Sequence, residues 1–133
     1  MNDPTVAFMT AAKTALEGAG LTVVVNPSPS TALPYTVMID NTVIEGELLT
    51  KTTEGTEITQ TFTTWATSML TALTDAGTIV TTLVNRATPL TITGHSVVVD
   101  ALDFRGSVIK DDTEPNSIYY GVPVRVRYVL KQT

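Results

Sequence analysis

The sequence predicts an α+β domain: a mostly antiparallel sheet of about four to five strands, packed by two helices and finished by a long C-terminal β-hairpin. Three observations lead there. Residues 4–17 and 68–86 carry apolar side chains at helical spacing. Ile118 to Leu130 alternates with a period of two for far longer than the ~5–6 residues of an ordinary strand. Threonine, which is β-branched and stiff, crowds the stretch from Thr50 to Thr93. At 133 residues the chain is read as one domain, residues 1–133, able to build a core without metal or disulfide.

The elements follow in order. Asp3-Pro4 is a helix start, with Asp as N-cap and Pro at the first helical position. Val6, Met9, Ala12 and Leu16 give that helix its expected apolar face, and Gly18 and Gly20 stop it. Leu21 to Val25 reads as a strand and Asn26 to Ser30 as a proline-broken loop. Tyr35, Val37 and Ile39 alternate with Thr36 and Met38 in a second strand, and Asp40-Asn41 reads as a turn. Thr42 to Glu57 is either a long loop or a weak hairpin. Glu57 to Ala66 is strand again, with Ile58, Phe62 and Ala66 on one face and Trp65 opposite. Trp65 reads as a core or helix-packing anchor. The second helix takes Met69, Leu70, Leu73, Ala76, Val80, Leu83 and Val84 as its stripe, with Gly77 a place for a bend and Pro89 beyond its end.

A hairpin of two long arms closes the chain. Val98, Asp100, Leu102, Phe104, Gly106 and Val108 are expected on one face of the first arm, and Asp111 to Asn116 at the tip. In the second arm Ile118, Tyr120, Val122, Val124, Val126, Tyr128 and Leu130 share a face. Tyr119, Gly121, Pro123, Arg125, Arg127 and Lys131 take the other, with Val129 the apolar exception. Pro123 cannot donate to a ladder, so the strand is expected to be an edge, or bulged, at that point. Arg125 and Arg127 belong either to a solvated outer face or to an interface.

Composition excludes several functions. The absence of cysteine removes disulfides, thiolate zinc sites and cysteine nucleophiles. No apolar run reaches the ~18–20 residues of a membrane span. Met1-Asn-Asp-Pro4 carries no positive n-region, so the expectation is a soluble protein without a secretory signal. Net charge is −5; residues 1–94 hold eight acids against three bases, and residues 95–133 five of each. That balance lacks the basic face of a nucleic-acid binder.

Chemical motifs are sparse. Gly94-His95-Ser96 resembles a nucleophile elbow, but Val98 stands where the motif needs Gly, and a triad histidine would not adjoin the serine in sequence. Asp112, Glu114 and Asn116 alternate like the start of a calcium loop, yet Ser117 and Pro123 occupy the positions of its Gly and Glu. Glu45 and Glu47 have no second catalytic group placed near them. No phosphate loop or dinucleotide fingerprint occurs. The expectation is no enzyme, no cofactor and no metal.

One resemblance covers nearly the whole chain. Leu33-Pro-Tyr-Thr-Val-Met-Ile39 precedes a loop with Lys51-Thr-Thr-Glu-Gly55. A strand ending in Trp65, a helix, and Pro89-Leu-Thr-Ile-Thr-Gly-His95 follow. Tyr120-Gly-Val-Pro-Val-Arg-Val-Arg-Tyr128 closes the order. This arrangement resembles the tail terminator (tail completion, or tail-to-head joining) proteins of tailed bacteriophages and gene transfer agents. It departs from them in its Thr-rich second helix and in Pro123. The resemblance implies a virion protein of the tail or neck, assembled in the host cytoplasm as a hexameric ring. Its partners would be the tail tube on one side and a head-completion or connector protein on the other. DNA would pass through the lumen without specific binding, and no membrane is involved. Arg125, Arg127, Pro123 and Tyr119 are then candidates for contacts between subunits. Glu45, Glu47, Lys51 and Glu54, with Asp111, Asp112 and Glu114 at the hairpin tip, are candidates for docking to tube or connector. The rival readings are another neck component, a small non-viral ligand-binding α+β domain, and a weak hydrolase.

Overall fold

The computed structural model describes residues 4–25, 32–50, 53–85, 87–114 and 117–133. Helix α1 (Pro4–Gly18) buries Phe8, Ala12 and Leu16. Steps of four set this line, which is rotated from the expected face: Val6 is 61% exposed. The expected Asp3 cap lies outside the described residues. At the other end Gly20 adopts φ +98°. Its N–H donates to the Glu17 carbonyl at 3.0 Å, and the Leu21 N–H to the Leu16 carbonyl at 3.1 Å. That pairing satisfies carbonyls left over by the last turn and needs the left-handed conformation only glycine adopts freely. Gly20 is therefore the stop, and Gly18 still belongs to the helix.

Strand β1 (Val23–Val24) runs parallel to β2 (Tyr35–Thr50), pairing Val23 with Thr36 and Val24 with Val37. β2 then pairs antiparallel with β3 (Thr53–Ala66), from Tyr35↔Trp65 to Thr50↔Thr53. The ambiguous stretch 42–57 is thus the distal part of a long hairpin. The turn expected at Asp40-Asn41 is a bulge: Ile39 pairs with Thr61 and Thr42 with Thr59, so two residues face Gln60 alone. Turn-forming residues here supply local bending inside a strand.

Helix α2 (Met69–Leu83) starts at Ser68, whose side chain accepts a hydrogen bond from the Thr71 N–H. The helix runs through Gly77 without interruption. It buries Ala72, Ala76, Ile79 and Leu83. Met69 and Leu70, expected in the stripe, are exposed, Leu70 at 74%. The Thr74, Thr78 and Thr81 hydroxyls donate to the carbonyls of Leu70, Thr74 and Gly77, which satisfies threonines in a helix without any tertiary partner.

The remaining strands are β4 (His95–Arg105), β5 (Ile109–Glu114) and β6 (Ser117–Gln132). The sheet order is β1-β2-β3-β6-β4, with β5 also on β6. β6 is therefore not an edge. It is central, with β3 along one side and β4 followed by β5 along the other. The predicted first arm is divided: Arg105 pairs with Val124 and Ile109 with Gly121, so residues 106–108 oppose only Val122 and Pro123. Pro123 faces that break, where its missing N–H disrupts nothing, and its carbonyl still accepts from Gly106 N–H at 2.9 Å. Register shifts between Val97 and Val99 and between Leu102 and Phe104 also overturn the expected common face of that arm. Leu102 pairs with Val126 on the helix side, whereas Phe104 pairs with Arg125 on the opposite side.

Both helices cover one face of the sheet. Phe8, Leu16, Ile79 and Leu83 meet Ile58, Phe62, Val124 and Tyr128 in a single core cluster. Each such large side chain contributes roughly 1.5–3 kcal/mol on burial. The rings of Phe8 and Tyr128 lie 4.8 Å apart with planes at 53°. The Tyr128 hydroxyl donates to the carbonyl of Leu83, the last residue of α2. Thr64, fully buried on β3, donates to the Ala72 carbonyl at 3.1 Å and ties that strand to the same helix. Among the described residues no helix is long and apolar enough to cross a membrane.

Candidate assembly interface

The sheet face turned away from the helices carries four residues singled out by sequence: Tyr119, Pro123, Arg125 and Arg127. Period-two geometry places them together, with Gly121 and Val129, on one side of β6. On β3 the same face presents Glu57, Thr59, Thr61, Thr63 and Trp65, and on β4 it presents Val99, Ala101 and Phe104. Trp65 is accordingly not a helix anchor. It pairs with Gly121, and a Cβ built on Gly121 would sit 2.7 Å from the indole ring. The glycine leaves room for the ring to lie flat over the neighbouring strand.

Both arginines have partners within the chain. Arg125 Nε donates to Asp103 Oδ2 at 2.6 Å, and its guanidinium lies 5.6 Å from the centre of the Phe104 ring. The register shift at Asp103 lets consecutive residues of β4 both reach Arg125. Arg127 Nε donates to Glu57 Oε1 at 2.7 Å, and that bond raises the Arg127 pKa above its ordinary value. These pairs leave the face polar but internally balanced across three strands. They are partly solvated, so each adds little stability. Glu57, Asp103 and Phe104 were not legible as partners, because only strand register brings them beside the arginines.

The proposed docking residues fall on strands rather than loops. Glu45 and Glu47 lie on the distal arm of β2, and Glu54 lies near the start of β3. Lys51 lies outside the described residues. Asp111 and Asp112 are within β5, where Asp111 pairs with Tyr119, and Glu114 pairs with Ser117 at the end of that hairpin. Two hairpins therefore carry these groups, one at β2–β3 and one at β5–β6.

Sites for small-molecule chemistry look different. A cleft of about 650 Å³ between α1 and residues 90–93 is lined by Val6, Ala7, Ala11, Ala15, Leu90 and several threonines, without a charged group. A smaller one of about 300 Å³ lies by Leu21, Leu33–Thr36 and Asp75. Desolvation raises the Asp75 pKa above its ordinary value. His95 opens β4, with Nδ1 3.2 Å from the Thr93 carbonyl oxygen, and Ser96 beside it is exposed. Among the described residues no three acids or histidines cluster as metal ligands. Asp112, the first position of the calcium-loop pattern, sits in an antiparallel hairpin.

No protein-family model matches the sequence, and no curated protein matches it. By structure, the chain is similar to a chain in a solved structure described as the virion of a native gene transfer agent particle. The TM-score is 0.57 at 18% identity, over 89% of this chain and 83% of that one. The likeness is one of fold.

Proposed function

We propose that this protein is a structural component of a tailed virion or gene transfer agent, specifically the tail terminator. In this reading its copies form a ring, hexameric as the sequence resemblance implies. The ring caps the tail tube, stops tube growth and joins the tail to the head connector. The observation that carries the reading is the fold similarity to a gene transfer agent virion chain across 89% of the sequence. The order of segments around Trp65, His95 and Pro123 supports it independently. The chemistry fits as well. Rings close through two different patches on each subunit, and this sheet has a different strand at each border. A net charge of −5 suits a channel through which DNA slides, because adhesion to phosphates would slow its passage. Arg125, Arg127, Pro123 and Tyr119 serve the subunit contact region in this proposal, and the two hairpins dock to tube and connector.

The test is the location of the chain in particles produced with and without it. Labelled protein is expected at the head–tail junction, and particles lacking it are expected to carry tubes of uncontrolled length. Label elsewhere in the particle would make it a different virion component. Absence from particles would refute the proposal.

A further inference from the structure

We infer that the small cleft between the end of α1, the entry to β2 and the middle of α2 binds the cationic end of an aliphatic chain. The ligand is an alkylammonium or alkylguanidinium group, with Asp75 as its counter-ion. The inference goes beyond the virion reading and does not rest on it.

Three observations carry it. First, Asp75 is a carboxylate without a partner. It is half-buried on α2 and lines the cleft of about 300 Å³, yet among the described residues it has no hydrogen bond or ion pair. Burial holds its pKa above the ordinary value. Taking a carboxylate out of water costs free energy that a cation or hydrogen-bond donors must offset. Second, the surrounding chain has no cation to give it. Asp75 is the single charged residue of α2. The other walls come from residues 20–22 and 32–36, and residues 18–39 contain no charge of either sign. Lys13, on α1, is held by Glu17 at 3.1 Å. Third, the cleft lies by the carboxy end of α1. Gly20 lines it, two residues beyond the helix, and the last turn of α1 holds no base. A helix end of this kind carries partial negative charge, which adds to the field of Asp75.

The walls define the rest of the ligand. Leu21, Leu33 and Pro34 are apolar and suit methylene groups, while Thr22 and Tyr35 bring hydroxyls to the lining. The volume is at the lower end for ligand pockets, so it suits a chain of a few carbons rather than a ring system. A bare divalent metal ion does not fit. Calcium or magnesium takes roughly six or more oxygen ligands, and the described lining supplies a single carboxylate. Lysine and arginine side chains of a partner protein and free aliphatic cations share the chemistry that does fit.

The experiment is an NMR titration of the isotope-labelled full-length protein with n-butylammonium and n-propylguanidinium, using n-butanol as the neutral control. Saturable shifts are expected at Asp75, Leu33 and Tyr35. The Asp75 carboxyl should titrate at lower pH with the probe bound, because a cation favours its ionised form. Asp75→Asn should weaken both probes roughly tenfold or more. Asp112→Asn, at an exposed position of β5, should leave them unchanged. With no partner to lose, Asp75→Asn should melt no lower than the wild type. Capped lysine and capped arginine separate the two sources. Binding as tight as that of the bare probes assigns the site to a side chain of a partner protein. Exclusion of the capped residues while the bare probes bind assigns it to a free cation. The inference is overturned by no saturable shift at Asp75, by n-butanol binding as tightly as n-butylammonium, or by equal binding to Asp75→Asn. A lower melting temperature in that variant would also overturn it, since the carboxylate would then have a partner within the chain.

Discussion

Replacing Tyr128 by Phe isolates one hydroxyl. The ring stays in the core against Phe8, so packing is retained, and only the bond to the Leu83 carbonyl is lost. That carbonyl belongs to the last turn of α2, where it has no partner from the helix itself. A net hydrogen bond is worth about 0.5–1.5 kcal/mol, and a buried carbonyl left unsatisfied costs about 1–3 kcal/mol. The expected loss is therefore about 1.5–2 kcal/mol. For a chain of 133 residues, an unfolding entropy of ~2.1 cal/mol/K per residue converts 1.5 kcal/mol to a Tm drop of roughly 5 °C. Urea unfolding followed by circular dichroism should show a lower midpoint at unchanged slope. The pH dependence has a defined sign. Burial, then the charge of Asp100, raises the Tyr128 pKa above its ordinary value of 10.0. The folded state thus holds the proton more tightly than the unfolded state. This stabilisation is complete below pH 10 and is lost as pH rises beyond it. The difference between wild type and Tyr128→Phe should be constant up to about pH 9 and narrow above about pH 10. A variant within about 0.3 kcal/mol of wild type at pH 7 would refute the assigned role of the hydroxyl.

Three further outcomes are expected. Gly77→Ala should stabilise the protein by about 0.8–1 kcal/mol, because the position is helical and a Cβ there meets nothing within 4 Å; thermal melting checks it. Gly121→Ala should destabilise by about 1–3 kcal/mol as the new methyl displaces the Trp65 ring, and the emission of this single tryptophan should shift with it. Thr64→Val should cost about 1 kcal/mol by removing the donor to the Ala72 carbonyl while keeping side-chain volume, measured by denaturant unfolding.

The fold was legible where period and chemistry are local. The long alternation of β6 placed Val122, Val124, Val126 and Tyr128 inward and Arg125 and Arg127 outward, as the structure has them. The two helices were visible by spacing, although their buried lines turned toward Phe8 and Ala72. A bulge hides from such reading, since one extra residue reverses the side of every residue after it. That is why Asp40-Asn41 looked like a turn and why Phe104 left the face assigned to it. The central place of β6 depends on pairing with strands as distant as β3, and its arginines find their partners there too, Glu57 on β3 for Arg127 and Asp103 on β4 for Arg125. Nothing local to residues 118–130 encodes that choice.

The position of β6 has a consequence for biosynthesis. It is made after every strand it joins, and it is the common neighbour of β3, β4 and β5. A nascent chain that has emerged only to Glu114 holds the β2–β3 hairpin but no ladder for β4. The C-terminal turn of α2 also waits for the Tyr128 hydroxyl. The sheet is thus completed only after β6 has been made. The β1–β2–β3 half and β4 become parts of one sheet only when β6 is inserted between them.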